Sequence, residues 1–192
     1  MVGREKEQKR LRELADSGEA EFVAVYGRRR VGKTYLIRET FDGEFAFCHS
    51  GMARVGMAKQ LQAFCSSLKE WGHAKCPRLG NWIDAFDELK RVVESSSLHR
   101  KIVFIDEMPW MDTPKSGFVP ALEHSGMVGL RRARMLCLSF AEALLPGSLT
   151  RFSETKADFM VALPSRLRLS LLRFANASFT HRRVGSTTRG GW

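Results

Sequence analysis

Along the first hundred residues the apolar positions follow two alternating patterns. Residues 4–17 carry Leu11 and Leu14 on one side of an otherwise charged stretch, which predicts an amphipathic helix closed by Gly18. Phe22 to Tyr26 is a continuous apolar, β-branched run and predicts a strand, after which Leu36, Ile37 and Phe41 lie on one face of a helix. "EFAFCHS" (44–50) alternates as a second strand does. "GMAKQLQAFCSSLKEWG" places Met57, Leu61, Phe64, Leu68 and Trp71 at steps of three and four, and "NWIDAFDELKRVVESS" repeats the pattern with Trp82, Ile83, Phe86, Leu89 and Val93. Both are helices with one face in a core. Ile102 to Ile105 is apolar at every position, as in a strand buried on both faces of a parallel sheet. Strands alternating with helices predict an α/β fold, a parallel sheet with helices on both faces.

The turn between the first strand and its helix carries chemistry. In "EFVAVYGRRRVGKTYLIRETF", Gly27, Gly32, Lys33 and Thr34 satisfy G-x-x-x-x-G-K-[ST], the phosphate-binding loop, in its required strand–loop–helix context. Glycines let the backbone curl until successive N–H groups face phosphate oxygens, and the helix that follows directs its positive end at the same place. Lys33 is placed to reach the β- and γ-phosphates and Thr34 to ligate magnesium. Arg28, Arg29, Arg30 and Val31 fill the middle of the loop and contribute mainly backbone amides, with the arginine side chains free to face solvent or a partner.

A phosphate loop needs an acidic strand end to hold its metal, and "KIVFIDEMPW" supplies one. Asp106 falls at the C-terminal end of the Ile102 to Ile105 run, where ligands bind in open α/β sheets. It can hold magnesium through water, and Glu107 beside it can polarise an attacking water. Lys33 and Glu107 are therefore the candidate catalytic residues, and Thr34 and Asp106 the candidate metal ligands.

Composition alters the picture mainly beyond residue 124. The 192 residues have a net charge of +10, with 44% hydrophobic and 10% aromatic residues, and no apolar run nears the roughly 20 residues that span a bilayer. The charged N-terminus "MVGREKEQKRLREL" lacks the apolar middle of a signal peptide, so a cytoplasmic protein is expected. Cys48, Cys65, Cys76 and Cys137 form no C-x-x-C pair and are expected as reduced thiols in or near a core. His49, His73, His99 and His124 show no ligand spacing. Residues 1–124 hold 20 Lys+Arg against 18 Asp+Glu, a net of +2, whereas residues 125–192 hold 11 against 3, a net of +8, and ten of those eleven bases are Arg. Leu, Arg and Ser, the three amino acids with six codons each, make up 29 of these last 68 residues, a bias typical of translation in an unintended frame.

With both motifs placed, residues 1–124 resemble the AAA-related P-loop ATPases of bacteria and archaea, through "VGREKE" (2–7), "VAVYGRRRVGKTYLIRE" and "FIDEMPWMDTPKSGFVPALEH". The resemblance implies a P-loop NTPase fold, ATP and Mg2+ as cofactors, ATP hydrolysis, conformational switching and homo-oligomers among intact relatives. It names no client protein or nucleic acid and no membrane partner. In such ATPases the initial G-R-E box lies near the adenine, which makes Gly3, Arg4 and Glu5 further candidates for nucleotide contact.

Past His124 the resemblance stops. Relatives continue with a segment like F-W-N-G-W and then a strand like L-L-I-V-C-G-S-A-T-S-W, which carries a polar residue that reads the γ-phosphate. Ser125 to Gly129 can be encoded TCT GGA ATG GTT GGN, and one T restored before it reads F-W-N-G-W. The same shift turns Met135 to Gly147, with suitable third bases, into D-V-M-L-I-V-C-G-S-A-T-S-W, and Thr150 to Phe159 into N-K-V-F-R-N-K-G-G-L. Residues 1–124 are thus expected to be the N-terminal part of the nucleotide-binding domain. Residues 125–192 are expected to be an out-of-frame basic tail, largely unstructured, leaving the sheet truncated or disrupted after the acidic strand and hydrolysis impaired. The competing reading is a nucleic-acid-binding module that uses the Arg-rich segment, against which stands the lack of an aromatic platform or basic helical face. The encoding DNA separates the two: one base is expected to be missing at or just after the His124 codon, and an alternative frame without F-W-N-G-W and G-S-A-T-S-W overturns this reading.

Overall fold

Strand β1 (Glu21–Gly27) sends Val23 and Val25 to one side and Phe22 and Ala24 to the other, and that alternation sorts the helices into two layers. The computed structural model describes residues 4–17, 21–27, 30–128, 135–141 and 168–174, with side chains beyond His124 not described. On the Val23 side, α1 (Glu5–Ala15) contributes Leu11 and Leu14, as the helical pattern predicts, and α2 (Lys33–Thr40) contributes Leu36 and Ile37. Phe41 completes this core. With eight residues, α2 is too short to be stable alone, since isolated helices under about 12–15 residues are marginal in water. Its helicity depends on burying Leu36 and Ile37, both wholly inaccessible to solvent.

The opposite layer is built from α3 (Met57–Glu70), α4 (Trp82–Ser95) and α5 (Phe118–Val128). Phe64 sits at its centre, with its ring edge-on to Trp82 at 5.5 Å and to Phe86 at 6.1 Å, while Trp82 meets Phe118 edge-on at 4.8 Å. These are the separations and angles at which ring quadrupoles attract. Helix α4 is started by a reciprocal cap: Asn81 Oδ1 accepts from the Asp84 amide at 2.9 Å, and Asp84 Oδ2 accepts from the Gly80 amide at 3.1 Å. One expected core position differs. Ile83 is 48% exposed, because the buried face of α4 runs through Trp82, Ala85, Phe86, Leu89, Val92 and Val93, and position 83 lies outside that stripe.

Strand β2 (Phe45–Ser50) pairs with β3 (Ile102–Asp106), with a register shift between Phe45 and Phe47. The shift explains why Phe45 packs with the Val23 layer and Phe47 with the Phe64 layer, although residues two apart in a regular strand share a face. All five residues of β3 are buried, as its apolar run predicts.

The sheet does not end at β3. Strands β4 (Met135–Ala141) and β5 (Arg168–Phe174) continue it in the order β2-β3-β4-β1-β5, with every pairing parallel. Strand β4 lies between β3 and β1, with Cys137 in register with both Val23 and Phe104. This corrects the expectation of a sheet disrupted after the acidic strand. The physical reason is local: "MLCLSFA" is a largely apolar run and "RLSLLRF" carries four apolar residues among seven, both of strand length and able to pair with strands whose edges are otherwise unpaired. The remainder of the expected unstructured tail lies outside the described residues. Among the described residues no helix is long and apolar enough to cross a membrane.

His49, on β2, is buried between Phe47 and Phe64, with its Nδ1 2.9 Å from Ser67 Oγ and its Nε2 without a hydrogen-bond partner among the described residues. Burial lowers its pKa from 6.5 to about 4. The unfolded chain therefore binds a proton between these values that the folded chain rejects, so the stability from neutral His49 is complete above about pH 6.5 and is lost as pH falls toward 4. The expected size is at most about 3 kcal/mol. Urea unfolding between pH 7 and 4 should show a shallower pH dependence for His49→Phe than for the unmodified chain; equal slopes would remove His49 from the acid response.

Candidate functional site

The loop after β1 owes its shape to its backbone. Gly32 immediately precedes α2 with φ 79° and ψ 22°, a left-handed conformation that costs glycine little and other residues more. Gly27 and Arg30 also have positive φ, 151° and 63°. Lys33, the first residue of α2, is 7% exposed, and its Nζ donates to the Gly27 carbonyl at 3.0 Å. The lysine thus reaches back toward the end of β1. Arg30 is exposed, in keeping with the expectation that its side chain faces outward. Arg28, Arg29 and Gly3 lie outside the described residues.

Thr34 and Asp106 are 72 positions apart in sequence and meet at 2.6 Å, Thr34 Oγ1 donating to Asp106 Oδ2. The other carboxylate oxygen, Oδ1, accepts from the Glu107 amide at 2.9 Å. Both oxygens are therefore fixed, one by α2 and one by the turn after β3. The Asp106 carbonyl accepts from the Gly51 amide at 3.0 Å, which joins the end of β2 to the same point. A Cβ on Gly51 would lie 2.6 Å from the Glu107 carbonyl oxygen, so that position accepts only glycine unless the backbone moves.

Glu107 itself is left-handed, with φ 51° and ψ 38°, a conformation that costs a non-glycine residue about 1–3 kcal/mol and persists only where its surroundings impose it. The turn throws the chain from β3 into a 3-10 segment, Met108–Trp110, and Trp110 Nε1 donates back to Glu107 Oε2 at 3.1 Å. Trp110 is held in turn by Gln60 on α3. That glutamine has no solvent exposure, its Nε2 donates to the carbonyls of Trp110 (2.8 Å) and Met52 (2.6 Å), and its Oε1 accepts from the Met52 amide at 3.0 Å. Gln60, Trp110 and Gly51 were not singled out from the sequence. A buried glutamine on the apolar face of α3 was the available signal, since such a group must be hydrogen-bonded.

Arg4 lies against the loop that precedes α2. Its guanidinium is nearly buried, pairs with Glu7 at 3.1 Å and donates to the Val31 carbonyl at 3.2 Å, so it braces that loop from the start of α1. Glu5 starts α1 and is exposed.

A divalent cation fits the donor set. A hydroxyl and a carboxylate oxygen already at hydrogen-bond distance can both turn to one hard, oxygen-seeking ion, and magnesium takes only one or two such protein ligands when phosphates and water supply the rest. Among the described residues no group of three His, Cys, Asp or Glu side chains could hold a metal by itself.

No family model matches the chain. An uncharacterized protein of Methanocaldococcus jannaschii, MJECL04, is 57% identical over 109 residues, which are 56% of this chain and 22% of that protein. The chain thus spans less than a quarter of the length of the curated relative it matches. Among solved structures, the Walker-type ATPase PABY2304 of Pyrococcus abyssi aligns with a TM-score of 0.59 at 18% identity, over 90% of this chain and 54% of that one. The fold is that of the P-loop ATPases. Drosophila ORC bound to DNA aligns with a TM-score of 0.60 at 17% identity over 92% of this chain and 44% of that one, and Cdc6p of Pyrobaculum aerophilum with 0.54 at 12% over 88% and 45%.

Proposed function

We propose that the chain binds Mg-ATP as a P-loop ATPase of the AAA-related class, with Gly27 to Thr34 around the phosphates and Asp106 at the metal. The observation that carries this reading is the contact between Thr34 and Asp106, which joins two motifs recognised separately and leaves Lys33 reaching back toward the end of β1. Backbone amides from the loop and the N-terminus of α2 would hold the phosphates. Lys33 would exchange its Gly27 carbonyl for phosphate oxygens, and the hydroxyl of Thr34 and the carboxylate of Asp106 would ligate the cation, which when bound neutralises phosphate charge. Glu107, its carboxylate aimed by Trp110, would orient and polarise the attacking water.

Hydrolysis is expected to be weak. In this proposal residues 125–192 are out of frame, so β4 supplies a strand at the centre of the sheet without the polar residue that the resemblance places there. Positioning and electrostatic stabilisation carry most of phosphoryl transfer, so binding can survive while turnover fails. Equilibrium titration with a fluorescent ATP analogue tests the binding. Lys33→Ala is expected to weaken affinity by roughly tenfold or more, the loss of a charge-assisted contact, while Arg30→Ala stays within about threefold. Equal affinity for Lys33→Ala and the unmodified chain would overturn the assignment.

A further inference from the structure

A second site of reactivity lies on the outer side of α3, away from the phosphate loop. The segment 71–81 between α3 and α4 folds back along α3: the His73 amide donates to the Leu68 carbonyl at 2.9 Å, the Cys76 amide to the His73 carbonyl at 2.9 Å, and Leu79 enters the core. This brings Cys76 against Cys65 of α3. Both thiols donate to one acceptor, the Pro77 carbonyl, Cys65 Sγ at 3.6 Å and Cys76 Sγ at 3.4 Å, and Cys65 Sγ also lies 3.9 Å from the Cys76 carbonyl. Both thiols are free.

Their accessibility differs. Cys76 is 9% exposed, whereas Cys65 is half-buried and lines an open groove of about 580 Å³. Lys59, Lys69 and Arg78 also line this groove, above a floor that includes Met57 and Leu79. None of the three cations is in an ion pair among the described residues. Of the nearby acids, Asp84 caps α4 and accepts from the amide of Gly80, which lines the groove, and Glu88, whose charge reaches Cys76, is paired with His73 and Arg91. A sulfur in a groove with these three cations favours an anionic partner, because opposite charge concentrates the reagent there.

We infer that Cys65 and Cys76 form a thiol pair that small anionic disulfides, of the glutathione disulfide class, oxidise to an intramolecular disulfide. Cys65, as thiolate, attacks one sulfur of the reagent and forms a mixed disulfide; the departing thiolate takes up the proton that Cys65 gave up. Cys76 then attacks the Cys65 sulfur, and the second thiolate leaves with the Cys76 proton. The net change is one disulfide formed in the protein and one reagent disulfide reduced to two thiols. Burial and the neighbouring Cys65 raise the Cys76 pKa to about 12, which makes Cys65 the entry point and the second step the slower one. The product ties the 71–81 segment covalently to α3.

The full chain is treated with glutathione disulfide, and peptides are mapped by mass spectrometry without reduction, with the same reaction in urea as a reference. The expected result is a Cys65–Cys76 crosslink in the folded chain, a stable mixed disulfide on Cys65 in Cys76→Ser, and neither product in Cys65→Ser. The oxidised chain should melt roughly 5 °C higher. The dicationic disulfide cystamine should react at Cys65 at least several-fold more slowly than glutathione disulfide, with the order reversed in the Lys59→Glu, Lys69→Glu, Arg78→Glu variant. A different pairing, or the same crosslink yield in urea as in the folded chain, overturns the thiol pair; equal rates for the two reagents overturn the role of the cations. None of these readouts depends on ATP binding.

Discussion

The hydrogen bond from Thr34 to Asp106 is the contact on which the functional geometry rests. It connects the first turn of α2 to the end of β3, two elements separated by an intervening strand of the sheet. Around it every neighbouring group is also committed: Asp106 Oδ1 to the Glu107 amide, its carbonyl to Gly51, Glu107 to Trp110, and Trp110 to Gln60. A chain of satisfied, partly buried polar groups fixes positions more narrowly than apolar packing does, because any displacement leaves a donor or acceptor without a partner. Its consequence is that the phosphate loop, the acidic strand and the loop after β2 form one constellation instead of three neighbouring ones.

The sheet provides the frame. Alternation along β1 and β3 assigns α1 and α2 to one layer and α3, α4 and α5 to the other, and the C-terminal ends of β1 and β3 open at the same edge. Arg4 reaches from α1 to the Val31 carbonyl and ties the outer layer to the loop. The left-handed backbone at Glu107 fits this picture of a site where local strain is sustained by surrounding contacts.

Much of this was readable in the sequence, and what was missed has physical causes. Periodicity located β1, β2, β3 and α1 to α4, because burying one face requires it, but it did not reveal α5 (Phe118–Val128). The G-x-x-x-x-G-K-[ST] loop and the acidic strand end stand out in the sequence because the chemistry proposed for them demands fixed residue types at fixed spacing. Ile83 was assigned inward because residues 82 and 83 are both apolar, and only the position of the whole stripe decides between them. Gln60 and Trp110 act through contacts 50 residues apart, which no local pattern encodes. The strands after residue 128 were unexpected because the comparison with relatives concerned residue identity, whereas a parallel ladder needs only a short apolar run of the right length. The +10 charge, concentrated in residues 125–192, says little about a partner.

The central claim is that Thr34 and Asp106 act as one cation site for a bound nucleotide. Measuring ATP affinity with and without magnesium in the unmodified chain, Thr34→Ala, Asp106→Ala and the double variant tests it directly. The account predicts that magnesium tightens binding by roughly tenfold in the unmodified chain, that either substitution abolishes that gain, and that the double variant loses no more than each single one. Magnesium-independent affinity in the unmodified chain, or losses that add in the double variant, would contradict it.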